Sequence, residues 1–252
     1  MTGLHTTTPL NLALDIGNSA VKAGFLGENG LIKSFRFSSF NYQRLNAILA
    51  RYHPENAIVS SVRKENIPGE DRFMRQFRKV LVLSHQTPLP IKNLYETPET
   101  LGLDRLAGVA GAHSLFPHNP VLVIDAGTAI TYDLIDDHGN YTGGNISPGM
   151  TLRFHSLHQA TDRLPLIKPG ENNATLGKNT REAIAAGVQN GIIYEMNQYI
   201  EQFKATYPTL KVLLTGGDCF FFDNKLKYHI FVEPNLILIG LNEILKFNIY
   251  AR

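Results

Sequence analysis

Two widely separated segments of this chain carry the same pattern, an apolar run that ends in Asp-x-Gly and a small polar residue. Leu10 to Ala20 reads Leu-Asn-Leu-Ala-Leu-Asp-Ile-Gly-Asn-Ser-Ala, and Val121 to Ala129 reads Val-Leu-Val-Ile-Asp-Ala-Gly-Thr-Ala. The likeness continues past the turn: Val21 to Gly30 is apolar and ends in Glu-Asn-Gly, while Ile130 to Gly139 is apolar and ends in Asp-His-Gly. The first copy is longer by one residue. Each copy reads as a strand, a tight turn, a second strand, and a further turn into a third. A single Asp-x-Gly is a common structural turn. The same turn in two matching contexts points instead to a duplicated domain.

The turn also has chemistry. Glycine lets the backbone take positive φ and come close to a ligand, and the flanking amides and hydroxyl can then donate to phosphate oxygens. An aspartate at the strand end would hold a cation or a water beside them. Two facing hairpins of this kind make a nucleotide cleft. Other phosphate-binding patterns are missing: Gly177-Lys178-Asn179 lacks the earlier glycine and the hydroxyl of a Gly-x-x-x-x-Gly-Lys-Ser/Thr loop, and no Gly-x-Gly-x-x-Gly opens a helix.

The second Asp-x-Gly falls near the middle of 252 residues, so the chain can form two modest domains, each with its own core. Hydrophobic residues make up 43% and charged residues 18%, an ordinary globular composition. A net charge of +2 is too small to suggest a nucleic-acid partner. The local basic cluster of Arg63, Lys64, Arg72, Arg75, Arg78 and Lys79 is diluted by Glu65, Glu70 and Asp71. It reads as a solvated helix face or as an electrostatic contact with an anion. One cysteine, Cys219, excludes an internal disulfide and a multi-cysteine metal site, and it fits a reducing cytoplasm. No apolar run reaches membrane-spanning length, so no membrane partner is expected. Met1 to Pro9 lacks the features of a signal peptide and is expected to be a disordered leader.

Past the first three strands, the spacing predicts a helix over 41–52, a strand over 57–62, a basic helix over 68–78 and a strand over 80–83. A proline-rich loop over 87–100 surrounds Tyr95. Gly102 to Leu115 follows as a helix of small residues suited to close packing and to crossing between the halves. The second half repeats three strands through Asn145. It continues with a helix after Pro148-Gly149, a loop over 164–176, a long helix over 179–206, a strand over 211–214 and an amphipathic helix over 236–247. The expected organisation is a leader (1–9), an N-terminal α/β domain (10–116) and a C-terminal α/β domain (117–252), both with mixed sheets.

Several residues have both a structural and a chemical reading. Asp104, in Gly102-Leu103-Asp104-Arg105, suits a helix N-cap. It equally suits a general base for a substrate hydroxyl, with Arg105 binding an anionic group. Gly143-Gly-Asn-Ile-Ser-Pro-Gly149 demands an unusual backbone path, for a turn or for a close substrate. Thr215-Gly-Gly-Asp218 reads as a helix cap or as a strand-to-helix turn facing an adenine or ribose. His155 and His158 are spaced to share a metal but lack a third ligand at helical spacing, and Cys219 reads as a buried small residue.

Taken together, five ordered motifs resemble the type III pantothenate kinase family, a branch of the acetate and sugar kinase, chaperone ATPase and actin superfamily. They are Asp15-Ile-Gly-Asn-Ser, Gly102-Leu-Asp-Arg105, Asp125-Ala-Gly-Thr-Ala129, Gly143 to Gly149, and Asn179-Thr180 with Ala183, Ile184 and Gly187. The resemblance implies two duplicated ribonuclease H-like (actin-like ATPase) domains, each a mixed sheet flanked by helices, with the active site in the cleft between them. It implies ATP with Mg2+ on Asp15, Ile16, Gly17, Asn18, Ser19, Ala20, Val21 and Lys22, with Thr128 contacting ATP from the second turn. Asp125 would coordinate a monovalent cation, potassium or ammonium. Tyr95, Gly102, Leu103, Asp104, Arg105 and Thr180 would hold pantothenate, with Asp104 as proton acceptor, and the family's members are homodimers. Ser19 stands where the family usually has threonine and keeps the hydroxyl. Another small-molecule kinase of the superfamily would lack a reason to combine Gly-x-Asp-Arg with Tyr95. A regulatory relative could have lost the base, yet Asp15, Asp104 and Asp125 are all present.

Overall fold

The computed structural model describes residues 9–17, 20–61, 70–170 and 174–250. Most of the expected leader, the turn residues Asn18 and Ser19, and Arg63, Lys64 and Glu65 of the basic cluster lie outside them. The chain divides into two units, one built from the described residues up to Leu115 together with those from Asn235 on, the other from Phe116–Pro234.

In the first unit, β1 (Asn11–Ile16), β2 (Val21–Gly27) and β3 (Gly30–Phe37) form an antiparallel meander. β4 (Asn56–Ser61) lies parallel to β1 and β5 (Lys79–Val82) parallel to β4, giving the order β3-β2-β1-β4-β5. All six residues of β1 are buried, which is why its apolar run is nearly unbroken: a central strand with covered faces has no solvent side. α1 (Tyr42–Tyr52) starts where the Asn41 side chain accepts the Arg44 N–H and turns Leu45 and Leu49 into the core with Phe25 and Val59. α2 (Glu70–Met74) stops short of the predicted end at Arg78. Its chain tightens through Gln76 N–H to Phe73 O and Phe77 N–H to Met74 O, and Arg78 N–H then donates to Glu55 O on the way into β5. The proline-rich loop contains the short β6 (Lys92–Asn93) and a 3-10 turn at Pro98–Thr100.

α3 (Leu103–Leu115) and the last helix, α7 (Leu236–Tyr250), pack on each other and on this sheet. Their backbones approach so closely that a β-carbon at Gly240 would overlap the Ala107 carbonyl. The small residues of α3 therefore make the groove that their composition promised. Sequence reading gave α7 to the second half, but the structure seats it on the first unit. Burial of Leu236, Leu238, Leu241, Ile244 and Leu245 drives this, and it is oriented by a buried amide chain in which Asn56 donates to Asn11 and Asn11 to Asn242.

The second unit repeats the plan. β7 (Val121–Ala126), β8 (Ala129–Ile135) and β9 (Asn140–Pro148) form the meander, β10 (Lys211–Thr215) lies parallel to β7, and β11 (Phe231–Val232) parallel to β10. The order β11-β10-β7-β8-β9 matches that of the first unit strand for strand, so the duplication read from the turns extends to topology. α4 (Met150–Gln159) and α5 (Thr180–Thr206) cover the sheet, with Phe154, Ile192, Met196 and Ile200 in its core. α5 begins at a reciprocal cap: Asn179 accepts from Glu182 N–H, and the Glu182 carboxylate accepts from Lys178 N–H. The short α6 (Cys219–Phe222) and β11 were not anticipated, since so few residues show no period. No described helix is long and apolar enough to cross a membrane.

Candidate active site

Asp15 lies near the end of β1 and is 7% exposed. Lys22 stands across from it on antiparallel β2, and Ser60 stands beside it on parallel β4. Gly17 N–H donates to Ala20 O at 3.0 Å and closes the turn. Ile16 and Val21 are 2% and 1% exposed, so their side chains anchor the turn in the core and only their backbone is available to a ligand. Ala20 and Lys22 are half-buried.

The second turn is shorter, closed by Gly127 N–H to Ala129 O at 3.0 Å. Thr128 is exposed, and its carbonyl accepts from Gly149 N–H, so the glycine-rich segment ends by packing on this turn. Thr215 pairs in register with Asp125 across parallel β7 and β10. Gly216 follows at φ 95°, a conformation that suits glycine, and a β-carbon there would stand 2.5 Å from Asp125 Oδ1. Asp218 N–H donates to Ala126 O at 2.9 Å, and burial pushes the Asp218 carboxyl above the ordinary carboxylate range. Thr215-Gly-Gly-Asp218 and Asp125 thus form one cluster.

Asp104 sits in the first turn of α3. It is the second residue of the helix rather than its N-cap; its Oδ1 accepts from the adjacent Arg105 N–H at 2.9 Å and so satisfies one first-turn donor through one oxygen only. Oδ2 has no hydrogen-bond partner among the described residues. Gly102 leaves the space that Oδ1 occupies, and Leu106 N–H donates to Gly102 O. Arg105 is 8% exposed, with its guanidinium 5.6 Å from the centre of the Tyr95 ring. A ring nitrogen of His85 lies 2.8 Å from Leu101 O and ties the approach to α3 to the end of β5. Tyr95, Gly102, Leu103, Asp104 and Arg105 are therefore gathered around one helix start.

Thr180 is the first residue of α5 and is exposed. With Arg153, Lys178, Asn179 and Ile184 it lines a cavity of about 820 Å³ within the second unit. Arg153 is fixed there: it donates to Pro148 O, Ser147 Oγ and Glu195 Oε2 at 2.8, 2.8 and 2.6 Å. Tyr132 donates to the other Glu195 oxygen, and burial together with that carboxylate drives its hydroxyl far above the normal phenol range. The cluster of Arg153, Glu195 and Tyr132 escaped the sequence reading because its members lie on different elements with no shared motif. His155 is exposed, and a ring nitrogen of His158 lies 2.7 Å from Leu164 O. Cys219 is fully buried in the core.

A family model described as type III pantothenate kinase matches residues 11–202. A type III pantothenate kinase of Bacteroides fragilis is 46% identical over 243 residues, covering 95% of this chain and 98% of its own. Among solved structures, a Campylobacter jejuni protein described as a Baf family transcriptional activator aligns at TM-score 0.58 and 24% identity, covering 94% of this chain and 98% of its own. A Sinorhizobium meliloti protein described as a 2-dehydro-3-deoxygalactonokinase aligns at TM-score 0.54 and 13% identity, covering 96% and 100%. These two likenesses concern the fold, that of the actin-like ATPases and sugar kinases. With a family model over most of its length and so similar a relative along nearly all of it, the chain belongs to the type III pantothenate kinase family.

Proposed function

We propose that the chain transfers the γ-phosphate of ATP to the terminal hydroxyl of pantothenate, giving 4'-phosphopantothenate and ADP. The observation that carries this reading is Asp104, whose Oδ1 is held by Arg105 N–H while Oδ2 is left to accept a proton. Phosphoryl transfer needs positioned phosphates, neutralised charge and an oriented hydroxyl more than covalent help. The Asp15 to Lys22 turn and Thr128 hold the nucleotide phosphates. Asp104 orients the substrate hydroxyl for in-line attack and takes its proton. Arg105, braced by Tyr95, holds the substrate's carboxylate, and Thr180 contributes a hydroxyl from the start of α5.

Buried Asp15 beside the Ser60 hydroxyl suits the water shell of a magnesium ion carried by ATP, and Asp125 beside Thr215 suits a monovalent cation. Such cations supply charge neutralisation on the phosphates. A homodimer is part of this reading. Ile146, Leu152 and Tyr194 of the second unit are 67%, 46% and 59% exposed, apolar surface of the kind a partner subunit would cover.

The test is an ADP-release assay with Mg-ATP and pantothenate, run in potassium and again in sodium. Pantothenate-dependent release stimulated by potassium is expected. Folded protein that binds ATP yet releases no ADP in either salt would overturn the reading.

A further inference from the structure

The two units share more than their turns. In the first, Asp15 is in register with Ser60 across the parallel pair β1 and β4. In the second, Asp125 is in register with Thr215 across the equivalent parallel pair β7 and β10. Ser60 is 0% and Thr215 1% exposed, and neither hydroxyl has a hydrogen-bond partner among the described residues. Buried hydroxyls are rarely left this way, because stripping one of water without replacing its hydrogen bond costs free energy. Here it happens at both topologically equivalent positions, each time next to the strand-end aspartate.

Registered neighbours on adjacent strands project from the same face, and strands stand about 4.8 Å apart. Each hydroxyl therefore rises beside a carboxylate that it does not bond. In the second unit Gly216 shows how crowded this side is, since a β-carbon there would meet Asp125 Oδ1. A buried hydroxyl held beside a carboxylate, itself buried at Asp15 and half-buried at Asp125, suits an oxygen ligand that bonds to both.

We infer that Ser60 and Thr215 are positioning residues of the nucleotide site: each hydroxyl, with its neighbouring aspartate, seats a water molecule that becomes ordered when the magnesium–nucleotide complex binds. The inference rests on the kinase reading above. It extends that reading to two residues outside the Asp-x-Gly turns, one of them, Ser60, in a segment where sequence showed only a strand.

The experiment compares full-length wild type with Ser60→Ala and Thr215→Val by thermal denaturation without ligand and by calorimetric titration with Mg-ADP. Removing an unpartnered buried hydroxyl is expected to leave the ligand-free midpoint unchanged or raised. Mg-ADP affinity is expected to fall roughly three- to ten-fold in each variant, the worth of one hydrogen bond. Thr215→Ser, which keeps the hydroxyl, is expected to retain most of the affinity. Wild-type affinity in either variant overturns the paired device, as does a lowered ligand-free midpoint without a change in affinity, which marks a merely structural role. Wild-type protein that fails to bind Mg-ADP would sink the kinase reading and this inference together. Tight binding by wild type and both variants would sink the inference alone.

Discussion

Asp104→Asn separates the two roles that one carboxylate plays at the start of α3. Oδ1 accepts the Arg105 N–H at 2.9 Å, and an asparagine oxygen can accept the same bond. The amide oxygen has the same reach and accepting geometry, so this contact survives. What the helix loses is a negative charge in its first turn, worth about 0.3–1 kcal/mol. Stability should therefore drop by no more than about 1 kcal/mol. The other oxygen becomes an amide that donates where the carboxylate accepted, so the substrate hydroxyl loses its base. General base catalysis contributes about 10²- to 10⁴-fold, or roughly 2.7–5.4 kcal/mol of barrier. The assay is pantothenate-dependent ADP release under saturating Mg-ATP, with urea unfolding of the same preparation. The expected result is a kcat lowered by at least about two decades, with the KM for ATP little changed. A variant that turns over like wild type would leave Asp104 with only its first-turn contact to Arg105 N–H and refute the reasoning.

Three further substitutions test other links. Gly240→Ala puts a methyl into the Ala107 carbonyl and forces α3 and α7 apart, so urea unfolding should show a loss of about 1–3 kcal/mol or more; an unchanged midpoint would mean that the helices do not cross so closely. Asp125→Asn should blunt the potassium stimulation of ADP release, and a wild-type potassium response would remove Asp125 from the cation site. Asp218 has its carboxyl raised by burial, so the folded state binds that proton more tightly than the unfolded chain. Its stabilising contribution is complete below the unfolded value and is lost as pH rises through the raised one. Asp218→Asn should then melt higher than wild type at neutral pH, with the gap closing in acid; a gap that is constant with pH would contradict the burial argument.

The elements with long or repeated signals were readable from the residues. The long helix over 179–206 is readable because its period is sustained, and the structure starts it at a cap that uses the Asn179 and Glu182 side chains. The duplicated Asp-x-Gly turns announced two equivalent units because a strand that must be buried and then turn tightly on a small residue has few sequence solutions. α6 and β11 went unseen because a few residues make no period, and α2 ended early because i→i−3 bonds and the Arg78 to Glu55 contact draw the chain into β5.

Local chemistry thus settled what the longer segments are: the two strand meanders, their Asp-x-Gly turns, and the helices α1, α3, α5 and α7. Partnership was settled only by the tertiary structure. That α7 belongs with the first unit follows from the fit of Gly240 against Ala107 and the Asn56–Asn11–Asn242 bonds, which join residues far apart in the chain. That Ser60 stands beside Asp15, and Thr215 beside Asp125, follows from parallel pairing. Parallel strands are joined by long crossovers, so their register leaves no mark at short range and is fixed only when both faces of the sheet are packed.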